Sequence, residues 1–255
     1  MSPIRRKATS LVFAEKSTST DAGLTAKQEL LDSVKSLWET SQYSDLKITC
    51  HPHTFHVHRS IVCPRSEYFA SALSGEFKEA VSGEIELDDD PRLVNGMLEY
   101  LYTLDYCVED KQISNADSAA TATSGEVENG LSSPLSSGSY DHLSFHILMY
   151  SLAERLFIHG LKRLSKQNVE RELSQRVDGD TFFAAILEIY KTTPEHDRGL
   201  RDLIVNMTIK HLALLRKGEN RLTLSLESDI FTQAPKYSHE LLIALMDKWT
   251  RHLSD

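Results

Sequence analysis

A chain of 255 residues with 40% apolar side chains is long enough to bury a sizeable core, in one large domain or two modest ones. Acidic residues outnumber basic ones by 37 to 28, and the resulting net charge of -9 disfavours nucleic acid as a main partner. No apolar run approaches the roughly 20 residues of a membrane helix. No charged-then-apolar leader opens the sequence, and three cysteines (Cys50, Cys63 and Cys107) do not make a disulfide framework. The expectation is a soluble intracellular protein, cytoplasmic or nuclear, with reduced thiols.

Residues 1–24 mix Ser, Thr and basic side chains without sustained periodicity, so they read as a disordered tail, and Arg5-Arg6-Lys7 as a solvated charge run. From Thr25 a helix is expected, with Leu30, Leu31, Val34, Leu37 and Trp38 on one face. The block from Ser44 to Tyr106 is the most patterned part of the chain. Leu46, Ile48 and Cys50 alternate with polar residues, as do Phe55 and Val57, and then Ile85 and Leu87, which predicts half-buried strands. Pro52-His53 turns between the first two, giving a hairpin of 45–50 with 54–59. Pro64 and Ser66 open a helix that turns Phe69, Ala72 and Leu73 inward and stops at Gly75. After the strand at Glu84–Leu87, Asp90 as N-cap and Pro91 at the first helical position start another helix. Leu93, Val94, Met97, Leu98, Leu101 and Tyr102 cover most of its circumference, so it is expected to be the buried central helix.

The pattern lapses over 109–139, a low-complexity stretch of Ser, Ala, Thr, Gly, Asn and Asp that reads as an insertion interrupting a domain. Its Ser133-Pro134 is a candidate proline-directed phosphorylation site. Helical spacing resumes at Tyr140 through Leu143, Ile147, Tyr150, Glu154 and Phe157, breaks at His159-Gly160, and continues through Leu161, Leu164, Val169 and Leu173. Residues 176–255 are helical in character, Leu222–Leu226 being the one strand candidate. Phe183, Ile186, Leu187 and Tyr190 mark one helix closed by Thr193-Pro194. Leu200, Leu203, Ile204, Met207, His211 and Leu214 mark a second, and Leu242, Leu245, Met246 and Trp249 a third. This annex is expected to pack on the preceding helices.

The ordered block resembles a BTB/POZ domain. Ser44-Asp45-Leu46 is similar to that family's opening step, Phe55 to Val62 to its second strand and turn, and Ser66-Glu67-Tyr68-Phe69 to the start of its second helix. Phe77-Lys78-Glu79, Ile85-Glu86-Leu87 and Tyr100 to Tyr106 continue the likeness in order, and Ala153-Glu154-Arg155-Leu156 is similar to its Ala-Asp/Glu-Lys-Tyr step with the ring displaced to Phe157. The resemblance implies an α+β fold, a small β-sheet flanked by helices over 25–175, followed by a helical, BACK-like extension over 176–255 of the kind found in short proteins of filamentous fungi. The long insertion departs from the pattern. No kelch, MATH or zinc-finger module signals what is recruited.

By the same resemblance the function is non-enzymatic protein interaction and homodimerisation. Phe77 and Glu79 occupy the hydrophobic-x-Glu position with which family adaptors engage a cullin-type ubiquitin ligase, and the recruited target is an unknown protein. The bland alternative is that Phe77 caps the domain's own core. Asp45 and Arg59 occupy positions that line a charged pocket near the dimer interface, or else form a local ion pair. An oligomerising scaffold or transcription-related regulator without a ligase link is the alternative function. A metal site among Cys50, His51, His53, His56, His58 and Cys63 lacks a Cys-x2-Cys clamp, and His58 matches a structural position. Cys63, before Pro64 at a helix start, sits where thiolate character rises. The sequence holds no Gly-x-Ser-x-Gly, phosphate-cradling Gly-rich loop or His-Glu-x-x-His, so neither catalytic residues nor a cofactor are expected.

Overall fold

The computed structural model describes residues 16–75, 77–108, 141–175, 179–217 and 230–252. Residues 1–15, the insertion 109–139 with Ser133, and the strand candidate Leu222–Leu226 lie outside them.

Helix α1 (Lys16–Thr40) leads into β1 (Leu46–Cys50) and β2 (His53–Val57), an antiparallel hairpin in which Leu46 pairs with Val57, Ile48 with Phe55 and Cys50 with His53. The short helices α2 (Arg59–Val62), α3 (Glu67–Ala72) and α4 (Lys78–Ser82) carry the chain to β3 (Glu84–Glu86), which lies parallel to β1 in the sheet order β2-β1-β3. The period-two reading holds: Leu46, Ile48, Cys50, Val57 and Ile85 are buried, while Lys47 and Glu84 pair at 3.1 Å on the other face. Helix α5 (Pro91–Thr103) has Asp90 as N-cap, its carboxylate accepting the Arg92 N–H at 2.8 Å. All six apolar residues expected inside are buried, so α5 is the central helix. One edge of α1, carrying Val34, Leu37 and Trp38, packs against this core, and Trp38 lies 5.4 Å from the Tyr102 ring.

Helices α6 (His142–Arg155) and α7 (His159–Gln175) complete this first core, and α8 (Gly179–Thr192), α9 (Gly199–Lys217), α10 (Ile230–Gln233) and α11 (Pro235–His252) enclose a second. Helix α6 serves both. Phe145, Met149, Leu152 and Ala153 face the sheet core, whereas Leu143, Ile147 and Tyr150 face the annex. Among the described residues, no helix is long and apolar enough to cross a membrane.

Several expectations need correction. Helix α1 begins at Lys16, not Thr25, because extending an established helix is far easier than nucleating one. Strand β2 stops at Val57, and Arg59 belongs to a helix, because the His58 carbonyl accepts the N–H groups of Ile61 and Val62, both at 3.0 Å. The break expected at His159-Gly160 falls at Leu156–Ile158. Leu156 and Ile158 are both buried there, and the chain reverses through Phe157 at φ 53°. Gly160 instead lies inside α7, where a Cβ would come within 2.2 Å of Tyr100 Oη, so this glycine allows close packing and does not end a helix. In α8 the buried face is Phe182, Ala185, Ile186 and Ile189, about one residue round from the expected one. In α11 the difference is larger: Leu242, Met246 and Trp249 are exposed, and Tyr237 and Leu241 are buried in their place.

A candidate protein-interaction surface

Helix α4 is little more than one turn long, so its own hydrogen bonds cannot hold it. Its flanking residues close both ends, and one bond reaches it from elsewhere in the chain. The Phe77 carbonyl accepts the N–H groups of Ala80 and Val81 at 3.0 and 3.2 Å. Gly83 closes the other end in the left-handed region at φ 68°, donating its N–H to Glu79 O at 2.9 Å. The Arg59 guanidinium adds Nη2 to Ala80 O at 3.4 Å. A phenylalanine at the N-cap is then the odd choice, since it has no oxygen to accept an N–H. Nor does it serve the core: Phe77 is 59% exposed and Val81, one turn on, is 82% exposed. The reading in which Phe77 caps its own domain is overturned. A short, tethered helix holds an aromatic and a β-branched side chain in water beside the half-buried Glu79.

Asp45 and Arg59 are joined through the Arg59 backbone and not by a side-chain ion pair. Asp45 Oδ1 accepts the backbone N–H of Arg59 at 2.8 Å, so its carboxylate caps α2 from a neighbouring segment, while the guanidinium turns away to Ala80. Arg59 Nε is buried without a partner. Asp45 also borders a hollow of about 210 Å³ shared with Lys47, His56 and Glu84.

The histidine-rich hairpin is dispersed. His58 is buried, and its Nε2 lies 2.6 Å from the Gln42 carbonyl, which can only accept; the ring proton therefore sits on Nε2. Nδ1 then accepts from the Tyr102 hydroxyl at 2.8 Å, and Tyr102 Oη accepts the His58 N–H at 2.9 Å. Burial pushes the Tyr102 phenol up to about 12. His58 thus joins the turn after α1 to α5 and has no nitrogen left for a metal. His51 is exposed beside Glu86 at 3.5 Å, and Cys50 donates Sγ–H to Asp89 O at 2.7 Å. No group of three potential ligands forms among the described residues. The expectation for Cys63 fails as well, because burial pushes its thiol up and outweighs the nearby Arg59.

Sequence reading missed two buried polar joints. In one, Tyr106 Oη meets His146 Nδ1 at 2.8 Å, Ser165 Oγ at 3.3 Å and Asn168 Nδ2 at 3.2 Å, and burial first, with Arg171 and His142 nearby, pushes His146 down to about 4. In the other, Asp197 accepts from Tyr150 Oη at 2.7 Å and from the Gly199 N–H at 3.1 Å, with Lys162 Nζ at 3.1 Å. Burial alone would raise the Asp197 carboxyl, but these donors hold it below the ordinary carboxylate range. Partners so far apart in the chain leave no local signal.

The first core is a small three-stranded sheet clasped by helices, with Phe77 exposed on the short helix α4. Residues 34–122 match the family model of the BTB/POZ domain, and the chain carries a BTB/POZ domain. Curated relatives include TD and POZ domain-containing proteins 5 and 3 of Mus musculus, which are 31% and 32% identical over 75 residues. Each match spans 29% of this chain but only 22% and 20% of those proteins, about a fifth of their length. Among solved structures, the BTB domain of zebrafish PATZ1 aligns over 62% of this chain and 98% of its own, with 13% identity and a TM-score of 0.38.

Proposed function

We propose that this chain is a non-enzymatic, intracellular adaptor that self-associates through its BTB/POZ domain and presents Phe77 and Glu79 to a cullin-type scaffold. The observation that carries the reading is the exposure of Phe77 at the start of α4, where neither capping nor core packing accounts for it. A preformed aromatic anchor of this kind is the side chain that dominates interface energetics when a partner buries it, and Val81 extends the apolar patch. Self-association is supported by the N-terminal half of α1, where Leu24 and Leu30 are 63% and 64% exposed on the same face whose later residues, Val34, Leu37 and Trp38, pack on the core.

The test is co-purification of the full chain with a cullin N-terminal region, comparing wild type with a Phe77→Ala, Glu79→Ala double variant. Binding by wild type alone supports the adaptor reading. Equal absence of binding in both sinks the ligase link and leaves an oligomerising scaffold as the function. A clean monomer at micromolar concentration in light scattering counts against both.

A further inference from the structure

Helix α11 is apolar on two sides. Tyr237 and Leu241 are buried against the annex, with Ala244 and Leu245 half-buried beside them. On the opposite side Leu242, Ile243, Met246 and Trp249 are 57%, 46%, 59% and 70% exposed. At 100° per residue these four share an arc of about 120°, a full amphipathic face turned to solvent. A helix with two apolar faces is one built to be covered on both. The face leaves on the order of 500 Å² of apolar surface in water, at the upper end of what monomers tolerate as one patch. Two such faces pressed together would bury on the order of 1,000 Å², which reaches the lower limit for a specific interface.

The flanking charges select the occupant. Exposed Lys236 and Asp247 lie about three turns apart on the same edge of this face. When two copies of a helix pair antiparallel, like edges meet. With the two-fold axis beside Leu242, midway between the two charges, Lys236 of each copy therefore reaches Asp247 of the other. The same register lays Trp249 over the exposed Pro235 and Met246 beside the exposed His239 of the second copy. A parallel arrangement brings none of these pairs together. Both charges already have contacts within their own chain, Lys236 with Glu195, and exchanging solvent-exposed contacts of this kind costs little. We infer that the outward face of α11 is a self-association surface that binds the same face of a second copy of this chain, antiparallel about Leu242. It lies outside residues 34–122 and does not depend on Phe77 or on α1.

Site-directed cross-linking of the full chain tests this independently of any other contact between copies. In a Cys107→Ser background, which removes the exposed native thiol, Leu242→Cys places a cysteine at the axis and Lys248→Cys places one off the stripe. With oxidised glutathione as the oxidant, two protein thiols become one disulfide and glutathione is reduced. Leu242→Cys is expected to form covalent dimer at least about tenfold faster than Lys248→Cys, because pairing raises the effective thiol concentration. Adding Met246→Asp should remove that advantage, Lys236→Glu should weaken it, and Lys236→Glu with Asp247→Lys should restore it. All these positions are exposed, so the variants should keep the wild-type melting curve. Equal cross-linking at 242 and 248, or no effect of Met246→Asp, overturns the surface; failure of the double charge reversal to restore cross-linking overturns the antiparallel register.

Discussion

The joint between the two cores makes a quantitative prediction. Gly199 opens α9 against Tyr150 of α6, so close that a Cβ at 199 would fall 1.9 Å from Tyr150 Oη and 3.0 Å from Cζ. Gly199→Ala must push the phenol aside, at roughly 1–3 kcal/mol for overpacking. The displaced hydroxyl also leaves Asp197, whose side chain is only 4% exposed, and a hydrogen bond to a charged group is worth roughly 1.5–3 kcal/mol. Helix propensity returns at most about 1 kcal/mol. The net loss is about 3 kcal/mol, or roughly 6–12 °C in melting temperature for a chain of this size.

Tyr150→Phe by itself loses only the hydroxyl bond and should cost about 2 kcal/mol. It also removes the atom that the new methyl group at position 199 would strike. The double variant should therefore cost little more than Tyr150→Phe alone, giving a coupling of about 2 kcal/mol in a double-mutant cycle. Urea titrations followed by circular dichroism and by Trp fluorescence would measure it. Additive losses, or a Gly199→Ala chain within about 0.5 kcal/mol of wild type, would refute the assignment of Gly199 to close packing.

The remaining predictions concern the other buried polar groups. His146 is held neutral, so as pH falls below about 6.5 the unfolded chain gains a proton that the folded one refuses until about pH 4. Stability should drop by about 3 kcal/mol across that window, and urea midpoints of His146→Gln should fall less steeply there. His58→Ala strands the Gln42 carbonyl and the Tyr102 hydroxyl and should cost about 2–4 kcal/mol by thermal melting, with α1 losing amide protection first. Arg201, 2% exposed, donates to Thr193 Oγ1 and O, lies 4.7 Å from the Tyr190 ring and faces Glu240. Arg201→Ala should cost about 3–5 kcal/mol, with early hydrogen exchange confined to α8, α9 and α11.

How much of this was legible in the sequence follows from the range of the forces involved. Strands β1 to β3 and helix α5 were readable because alternation and a wide apolar arc are local consequences of a half-buried strand and a buried helix. Helices α2 and α4 were not, since each is shorter than two turns and is held by groups brought from elsewhere, Asp45 for one and the Arg59 guanidinium for the other. Periodicity also failed on α11, for a definite reason. Tyr237, Leu241, Leu242, Ile243, Leu245, Met246 and Trp249 leave little of the circumference polar, and spacing cannot say which half faces inward. That excess of apolar residues was the available signal of a second face. Phe77 was singled out only through the family likeness, and its exposure gave that reading physical content.

The unit of folding does not follow the family match. Residues 34–122 end before α6, yet Phe145, Met149, Leu152, Ala153, Leu156, Ile158 and Leu161 are all members of the sheet core. Burying a Leu, Met or Phe contributes roughly 1.5–3 kcal/mol, so a fragment ending at 122 forfeits on the order of 10 kcal/mol, comparable to the whole stability of a domain. A fragment ending at 175 keeps that core but strips the annex from Leu143, Ile147, Tyr150, Val169 and Leu173, because α6 and α7 carry apolar residues toward both. We propose that α6 makes the two cores one cooperative unit, so that the boundary between 175 and 176 separates elements of the sequence and not independently stable bodies. In that case a 25–122 fragment stays unfolded by circular dichroism, and 25–175 binds a hydrophobic dye and melts well below the full chain. A 25–175 fragment that melts like the full chain would show that α6 needs only its sheet-side contacts.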